Sequence, residues 1–370
     1  MHLDLDEDTQ SLQTGVRGFA ASRVRSRARE WEEAGAIDQA ALDEAWQLGF
    51  ASLGVPSDLG GAGDASAKPS ALVGAVVLEE LAYADLGFAL AAFSPMHAVV
   101  PLCLFGEAEL RDELLPRLLG DTLPKATGAW IEPARTYDAY SFAARTAPTP
   151  AGPALHGKKT LVPRADSAEH CVVVARGGEP GGAGTPELYL LDGKASAGTC
   201  GARCDLIGPR AVGTFDLSFD GATARPLAAG AGAAHARLAE RALVGSAAAA
   251  VGVARAAADY AAEYAKDRRA FGRAIAQNQS IAFMLSEAAT DAEAARWMTW
   301  KAAWKVDQGS RDGARAEAAR AARFATAAAF RAADSCVQIL GGHGVIRDHL
   351  AELFFRNART LARTPGWFMV

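Results

Sequence analysis

The chain has 370 residues, half of them hydrophobic, enough for a sizeable core spread over two or three structural units. A net charge of −5 supplies no basic field for nucleic acid, and no apolar run reaches the roughly 20 residues expected of a membrane-spanning helix. The acidic start, Met1-His-Leu-Asp-Leu-Asp-Glu-Asp8, lacks a signal-peptide core, and five cysteines without regular spacing argue against a disulfide framework, so a cytoplasmic protein is expected.

Residues 1–122 read as helical. Leu42, Ala45, Trp46 and Leu48 recur at helical spacing between Ala40 and Gly49, with Asp38 as the expected N-cap and Gly49 as the stop. Gly54 to Gly61 is a turn-rich loop. Further helices are expected over Ser70–Tyr83, Val99–Phe105 and Asp112–Leu119, the last ended by Gly120.

From 123 to 228 the texture changes. Short β-rich runs, His170–Ala175, Glu187–Leu191 and Thr214–Phe219, alternate with Gly/Pro turns, and Pro180–Pro186 reads as a Gly-rich loop. This is a small β domain. Cys200 and Cys204 lie close, but neither a histidine nor a second cysteine pair accompanies them, so no metal site is expected. The scattered His97, His156, His170 and His235 read as structural or surface groups.

From 229 to 370 the chain is helical again. Alanine-rich helices are expected over Leu238–Lys266, Ser280–Gln308 and Gly313–Leu340, with a shorter one near the C-terminus, which together suggest a four-helix bundle. Trp297, Trp300 and Trp304 line one helix face, as core or subunit interface rather than a cofactor box.

The densest signal lies where two of these helices meet: Arg268-Arg-Ala-Phe271-Gly272-Arg-Ala-Ile275-Ala-Gln-Asn-Gln279. A guanidinium leaves one helix end, and a carboxamide sits at the start of the next. Such groups beside a helix N-terminus can hold a diphosphate, although an Arg in that place also simply caps its own helix. A second stretch reads Val337-Gln338-Ile339-Leu340-Gly341-Gly342-His343-Gly344.

Both spellings resemble the FAD-dependent acyl-CoA dehydrogenase family, and the likeness extends over almost the entire chain. It implies an N-terminal helical domain (1–122), a small central β-barrel (123–228) and a C-terminal four-helix bundle (229–370). It also implies FAD as cofactor, an acyl-CoA substrate dehydrogenated between Cα and Cβ, and an oligomer. By that resemblance Arg268, Phe271, Gln279, Gln338 and Gly342 contact the FAD of a neighbouring subunit.

Other positions depart from the family pattern. The usual catalytic Glu stands nine residues after the Arg of an Arg-Asp-Ala-like motif; here Arg356-Asn357-Ala358 leads to Pro365, which accepts no proton. Glu240-Arg241 resembles the pair that supplies the base in some members, but falls two residues too early, a rotation of about 200° around the helix. The flavin-ring motif Thr-Glu-Pro-x-x-Gly-Ser-Asp reads Ile131-Glu132-Pro133-Ala134-Arg135-Thr136-Tyr137-Asp138. In the next segment Leu161 replaces the Trp that lies against the flavin, and Pro163 the Thr bonded to it. No catalytic residue is assigned.

Three readings follow. The chain is an auxiliary subunit gripping the FAD of a homologous partner; or a homo-oligomeric enzyme with a relocated base, for which Glu240, Glu132 and Asp138 are candidates; or a non-catalytic scaffold or acyl-CoA-binding homologue.

Overall fold

The computed structural model describes residues 5–133, 142–177, 184–193, 198–227, 232–309 and 313–370. The first part is built from α1 (Glu7–Phe19), α2 (Ala28–Ala34), α3 (Gln39–Trp46), α4 (Ala71–Ala84), α5 (Leu86–Phe93), α6 (Met96–Phe105) and α7 (Ala108–Leu118). Asp38 does precede α3, but its carboxylate makes no cap bond and pairs with Arg27 instead. Ser70 caps α4, its Oγ accepting from the Val73 N–H at 3.2 Å. Helix α5 was not expected because it is apolar on every side and shows no amphipathic period. Its start is fixed by buried Asp85, which accepts from the Phe88 N–H at 2.6 Å and whose carboxyl burial pushes up to about 7.

The middle of the chain forms a sheet of β1 (Ala126–Ala129), β2 (Arg145–Thr149), β3 (Gly152–Pro163), β4 (His170–Arg176), β5 (Pro186–Asp192), β6 (Gly198–Arg203), β7 (Thr214–Thr223) and β8 (Arg225–Pro226). The order is β6-β7-β3-β2-β4-β5-β8, with β1 parallel to β4. The two halves join through β2 and β4 at Arg145 and Arg176. Most of the loop expected at 180–186 lies outside the described residues, as does the expected division at 228.

The last part holds α8 (Gly232–Asp267), α9 (Gln279–Asp307), α10 (Ala314–Leu340) and α11 (Ala351–Leu361). Alanine dominates the buried faces of α8 and α10, so the helix axes lie close. At Gly252 a Cβ would meet the Glu79 carbonyl oxygen of α4 at 2.4 Å, so only glycine fits. Glu79 is fully buried and ties three helices together, through Arg255 of α8 at 2.6 Å and Arg296 of α9 at 2.9 Å. Asp307, at the far end of α9, accepts from the N–H groups of Ala71 (2.7 Å) and Leu72 (3.1 Å) and so covers the start of α4.

By length and composition α8 is long and apolar enough to cross a membrane, which corrects the expectation drawn from apolar runs. Its most apolar window is 83% buried within the protein, however, as in a core helix. The Trp stripe of α9 lies toward the surface: Trp297 and Trp300 pack edge to face at 5.2 Å, and Trp304 is 39% exposed.

Candidate cofactor-binding face and a filled cleft

At one end of the bundle α8 stops at Asp267, and a two-residue turn, Phe271-Gly272, joins β9 (Arg269–Ala270) to β10 (Arg273–Ala274). Both turn residues have positive φ, +52° for Phe271 and +83° for Gly272. That is the geometry a two-residue hairpin needs; glycine adopts it freely, whereas a phenylalanine is strained by about 1 kcal/mol or more. Phe271 is nevertheless 103% exposed, so nothing in its own chain offsets the strain.

Arg268 and Gln279 are exposed on either side of this turn. The Arg268 N–H donates to the Tyr264 carbonyl at 2.9 Å, and the Arg268 carbonyl accepts from the Ile275 N–H at 2.9 Å, so the backbone is fixed while the guanidinium stays outside. Gln279 opens α9. The residue before it, Asn278, makes no side-chain cap, because its Oδ1 accepts from Arg273 at 2.6 Å. The first-turn N–H groups of α9 therefore point outward uncapped, beside an arginine and an amide.

Gln338 and Gly342 are exposed at the end of α10 and in the turn Gly341–Val345 that follows it. A Cβ at Gly342 would meet nothing within 4 Å, so its own chain does not demand glycine there. The absent side chain leaves room for something outside.

The structure brings the two motifs together through a pair that sequence reasoning missed. The Tyr264 hydroxyl meets Nδ1 of His343 at 2.7 Å, and the Tyr260 hydroxyl meets Nδ1 of His349 at 2.8 Å. The two imidazoles stack at 5.3 Å. Tyr264 stands one helical turn before Arg268, and His343 directly follows Gly342. All five residues expected to touch a neighbour's FAD are therefore outward-facing, on the end of the bundle that this clamp holds.

The positions expected at a flavin ring and substrate are different. Ile131 is buried, and its carbonyl accepts from the Thr160 N–H at 2.9 Å. The Pro163 carbonyl accepts from Thr127 Oγ at 2.6 Å. Leu161 has φ +56°, and its carbonyl accepts from the indole N–H of Trp367 at 2.9 Å. Trp367 belongs to the segment 364–370, and Trp367, Phe368, Met369 and Val370 are all 0–1% exposed. Pro365, where the resemblance leads one to expect the family's base, offers its carbonyl to Ser246 Oγ at 2.9 Å.

Of the carboxylate candidates, Glu132 is committed elsewhere. Glu132 accepts from the N–H groups of Ala143 (2.6 Å) and Ala144 (3.0 Å) and from the buried ammonium of Lys159 (2.8 Å). Burial pulls that ammonium down to about 8 against the pull of Glu132. Glu240 is half-buried, with its carboxyl raised by burial, and its charged neighbours are Arg237 and Arg315. The next residue, Arg241, is the one that reaches the 364–370 segment, donating to the Val370 carbonyl at 2.7 Å. Thr136, Tyr137 and Asp138 lie outside the described residues. Among the described residues no cluster of His, Cys, Asp or Glu could hold a metal ion.

Comparison with known proteins identifies the family. Residues 6–121 match the model of the acyl-CoA dehydrogenase N-terminal domain, and residues 229–366 that of the C-terminal domain. An acyl-CoA dehydrogenase of Bacillus subtilis (strain 168) is 30% identical over 353 residues, covering 93% of this chain and 90% of that protein. A benzylmalonyl-CoA dehydrogenase of Aromatoleum aromaticum is 28% identical over 97% of this chain and 94% of that protein. The solved butyryl-CoA dehydrogenase of Megasphaera elsdenii superposes with a TM-score of 0.88 at 25% identity, covering 99% of this chain and 96% of that one. The chain belongs to the acyl-CoA dehydrogenase family.

Proposed function

We propose that this chain is an acyl-CoA dehydrogenase-like flavoprotein working as the auxiliary subunit of an oligomer that removes hydrogen from Cα and Cβ of an acyl-CoA thioester. The cofactor is FAD, which when bound would supply the hydride acceptor for the β-hydrogen, with a carboxylate as acceptor for the α-proton. A protein of the same fold, PigA, has been solved with FAD. This chain supplies Arg268, Gln279 and Gln338 as donors to the diphosphate-bearing half of a neighbour's FAD, Phe271 as an apolar wall, and Gly342 as the point of close approach. A homologous partner supplies the ring pocket and the base.

The observation that carries this reading is Phe271. A large apolar side chain held fully exposed on a strained turn, flanked by Arg268 and the uncapped start of α9, is arranged for contact outside its own chain. FAD fits that face. It does not fit the chain's own ring positions, where the Leu161 and Pro163 carbonyls are already taken and Pro163 has no N–H to offer. We keep 1–122, 123–228 and 229–370 as the domain map. The five cysteines are free, as a reducing cytoplasm would keep them.

The test is purification alone and with a co-expressed homologous chain. The expected result is a colourless, inactive protein alone, and a yellow, active complex in which Arg268→Ala lowers flavin content. Stoichiometric flavin and dehydrogenase activity in the lone protein would overturn the proposal in favour of a homo-oligomeric enzyme.

A further inference from the structure

We infer that residues Thr364–Val370 are the permanent occupant of the cleft between α4, α6, α8 and β3, and that this cleft therefore admits no acyl chain. The inference uses the family positions of Leu161, Pro163 and Pro365 but not the auxiliary-subunit reading, and it is tested on the lone chain without FAD.

The segment is anchored from three elements. From β3, the Leu161 carbonyl accepts the Trp367 indole N–H at 2.9 Å. From α6, Nε2 of buried His97 meets the Trp367 carbonyl at 3.0 Å. From α8, Ser246 Oγ donates to the Pro365 carbonyl at 2.9 Å. Also from α8, Arg241 donates to the Val370 carbonyl at 2.7 Å while its other terminal nitrogen donates to the Pro69 carbonyl at 2.7 Å.

The walls are shaped to these side chains. A Cβ at Gly74 of α4 would lie 2.9 Å from Val370 Cβ, and one at Gly245 of α8 would lie 2.8 Å from Phe368 Cβ. The space left beside Val370, lined by Phe50, Val73 and Met96 among others, is a cavity of about 90 Å³. Ordinary ligand pockets hold roughly 300–1,000 Å³.

A mobile lid has few apolar contacts and exposed backbone bonds. This segment has the opposite character, with four consecutive side chains in the core and four polar anchors, two of them buried. An entering acyl chain would have to displace all four side chains. It would also leave the buried Arg241 guanidinium without the Val370 oxygen, in surroundings where burial already disfavours its charge. The occupant is thus part of the fold and not a gate.

The experiment is calorimetric titration of octanoyl-CoA into the lone chain and into the double variant Trp367→Ala/Phe368→Ala, each checked for native helix content. The native chain is expected to give no saturable heat. The double variant, with the cleft emptied, is expected to bind one octanoyl-CoA per chain. Stoichiometric binding to the native chain, or a folded variant that still binds nothing, would overturn the inference. If the variant does not fold, hydrogen exchange on the native chain decides. Amides of 364–370 are expected to be among the slowest and to be unchanged by excess octanoyl-CoA; fast exchange there, or exposure on addition of octanoyl-CoA, would overturn it.

Discussion

The hydroxyl of Tyr264 meets Nδ1 of His343 over 2.7 Å, so the helix that leads to Arg268 and the turn that carries Gly342 are clamped to each other. Two stretches whose clamping residues lie 79 positions apart in sequence are thereby set on one face of the bundle. Tyr264→Phe removes the hydroxyl and leaves the ring. A hydrogen bond of this kind is worth about 1 kcal/mol. The expected outcome is a several-fold loss of FAD affinity in the assembled complex, read by flavin titration, with little change in the Tm of the chain alone.

Arg268 makes no side-chain bond within the described residues, so its loss has no folding cost to hide behind. Arg268→Lys keeps the charge and removes the planar fork. Charge-assisted hydrogen bonds are worth about 1.5–3 kcal/mol, so FAD retention by the complex should fall by roughly 10–100-fold. The lone chain should melt at an unchanged temperature.

Phe271 sets stability against function. Asparagine tolerates positive φ and, with Gly272, makes the preferred pair for this turn. Phe271→Asn should stabilise the lone chain by up to about 1 kcal/mol in denaturant unfolding. The same variant should bind the FAD of the complex less tightly. A lone chain made less stable would show that Phe271 packs within its own subunit.

His97 makes stability depend on acid. Burial lowers its imidazole from the ordinary 6.5 to about 4. The unfolded chain therefore takes a proton between those values and the folded chain does not. Stability from this group is complete above about 6.5 and falls as the pH drops toward 4, by roughly 3 kcal/mol at most. His97→Gln keeps a donor for the Trp367 carbonyl and removes the titration. Its stability should decline less steeply than that of the native chain across this window, measured by denaturant unfolding at a series of pH values.

Glu79 is a structural charge. Glu79→Ala leaves Arg255 and Arg296 facing each other without their shared carboxylate. A cost of about 3–5 kcal/mol in unfolding free energy is expected. A cost under about 1 kcal/mol would mean that water already screens the pair.

Much of this was legible in the chain itself. The alanine-rich runs broken by Gly272 and Gly313 marked the three long helices to within a residue or two at most ends; only the start of α8, six residues earlier than expected, was hidden. The five residues singled out by the motif spellings, Arg268, Phe271, Gln279, Gln338 and Gly342, are all exposed. Helix α5 left no periodic trace, because every side of it is buried. The Tyr264–His343 clamp and the burial of 364–370 joined residues far apart in sequence, which no local pattern records. The one sign at the second place was the exchange of polar groups for Ile131, Leu161 and Pro163, which indicated a changed pocket but not what fills it.

The carboxylate of Asp307 closes the start of α4 from 236 residues away. Without it the Ala71 and Leu72 amides lose their acceptor and Ser70 Oγ its partner. The first 122 residues, expressed as a fragment, would therefore begin their central helix frayed. Part of the capping of α4 thus comes from the bundle, leaving a fragment only the Ser70 Oγ bond to the Val73 N–H at that end.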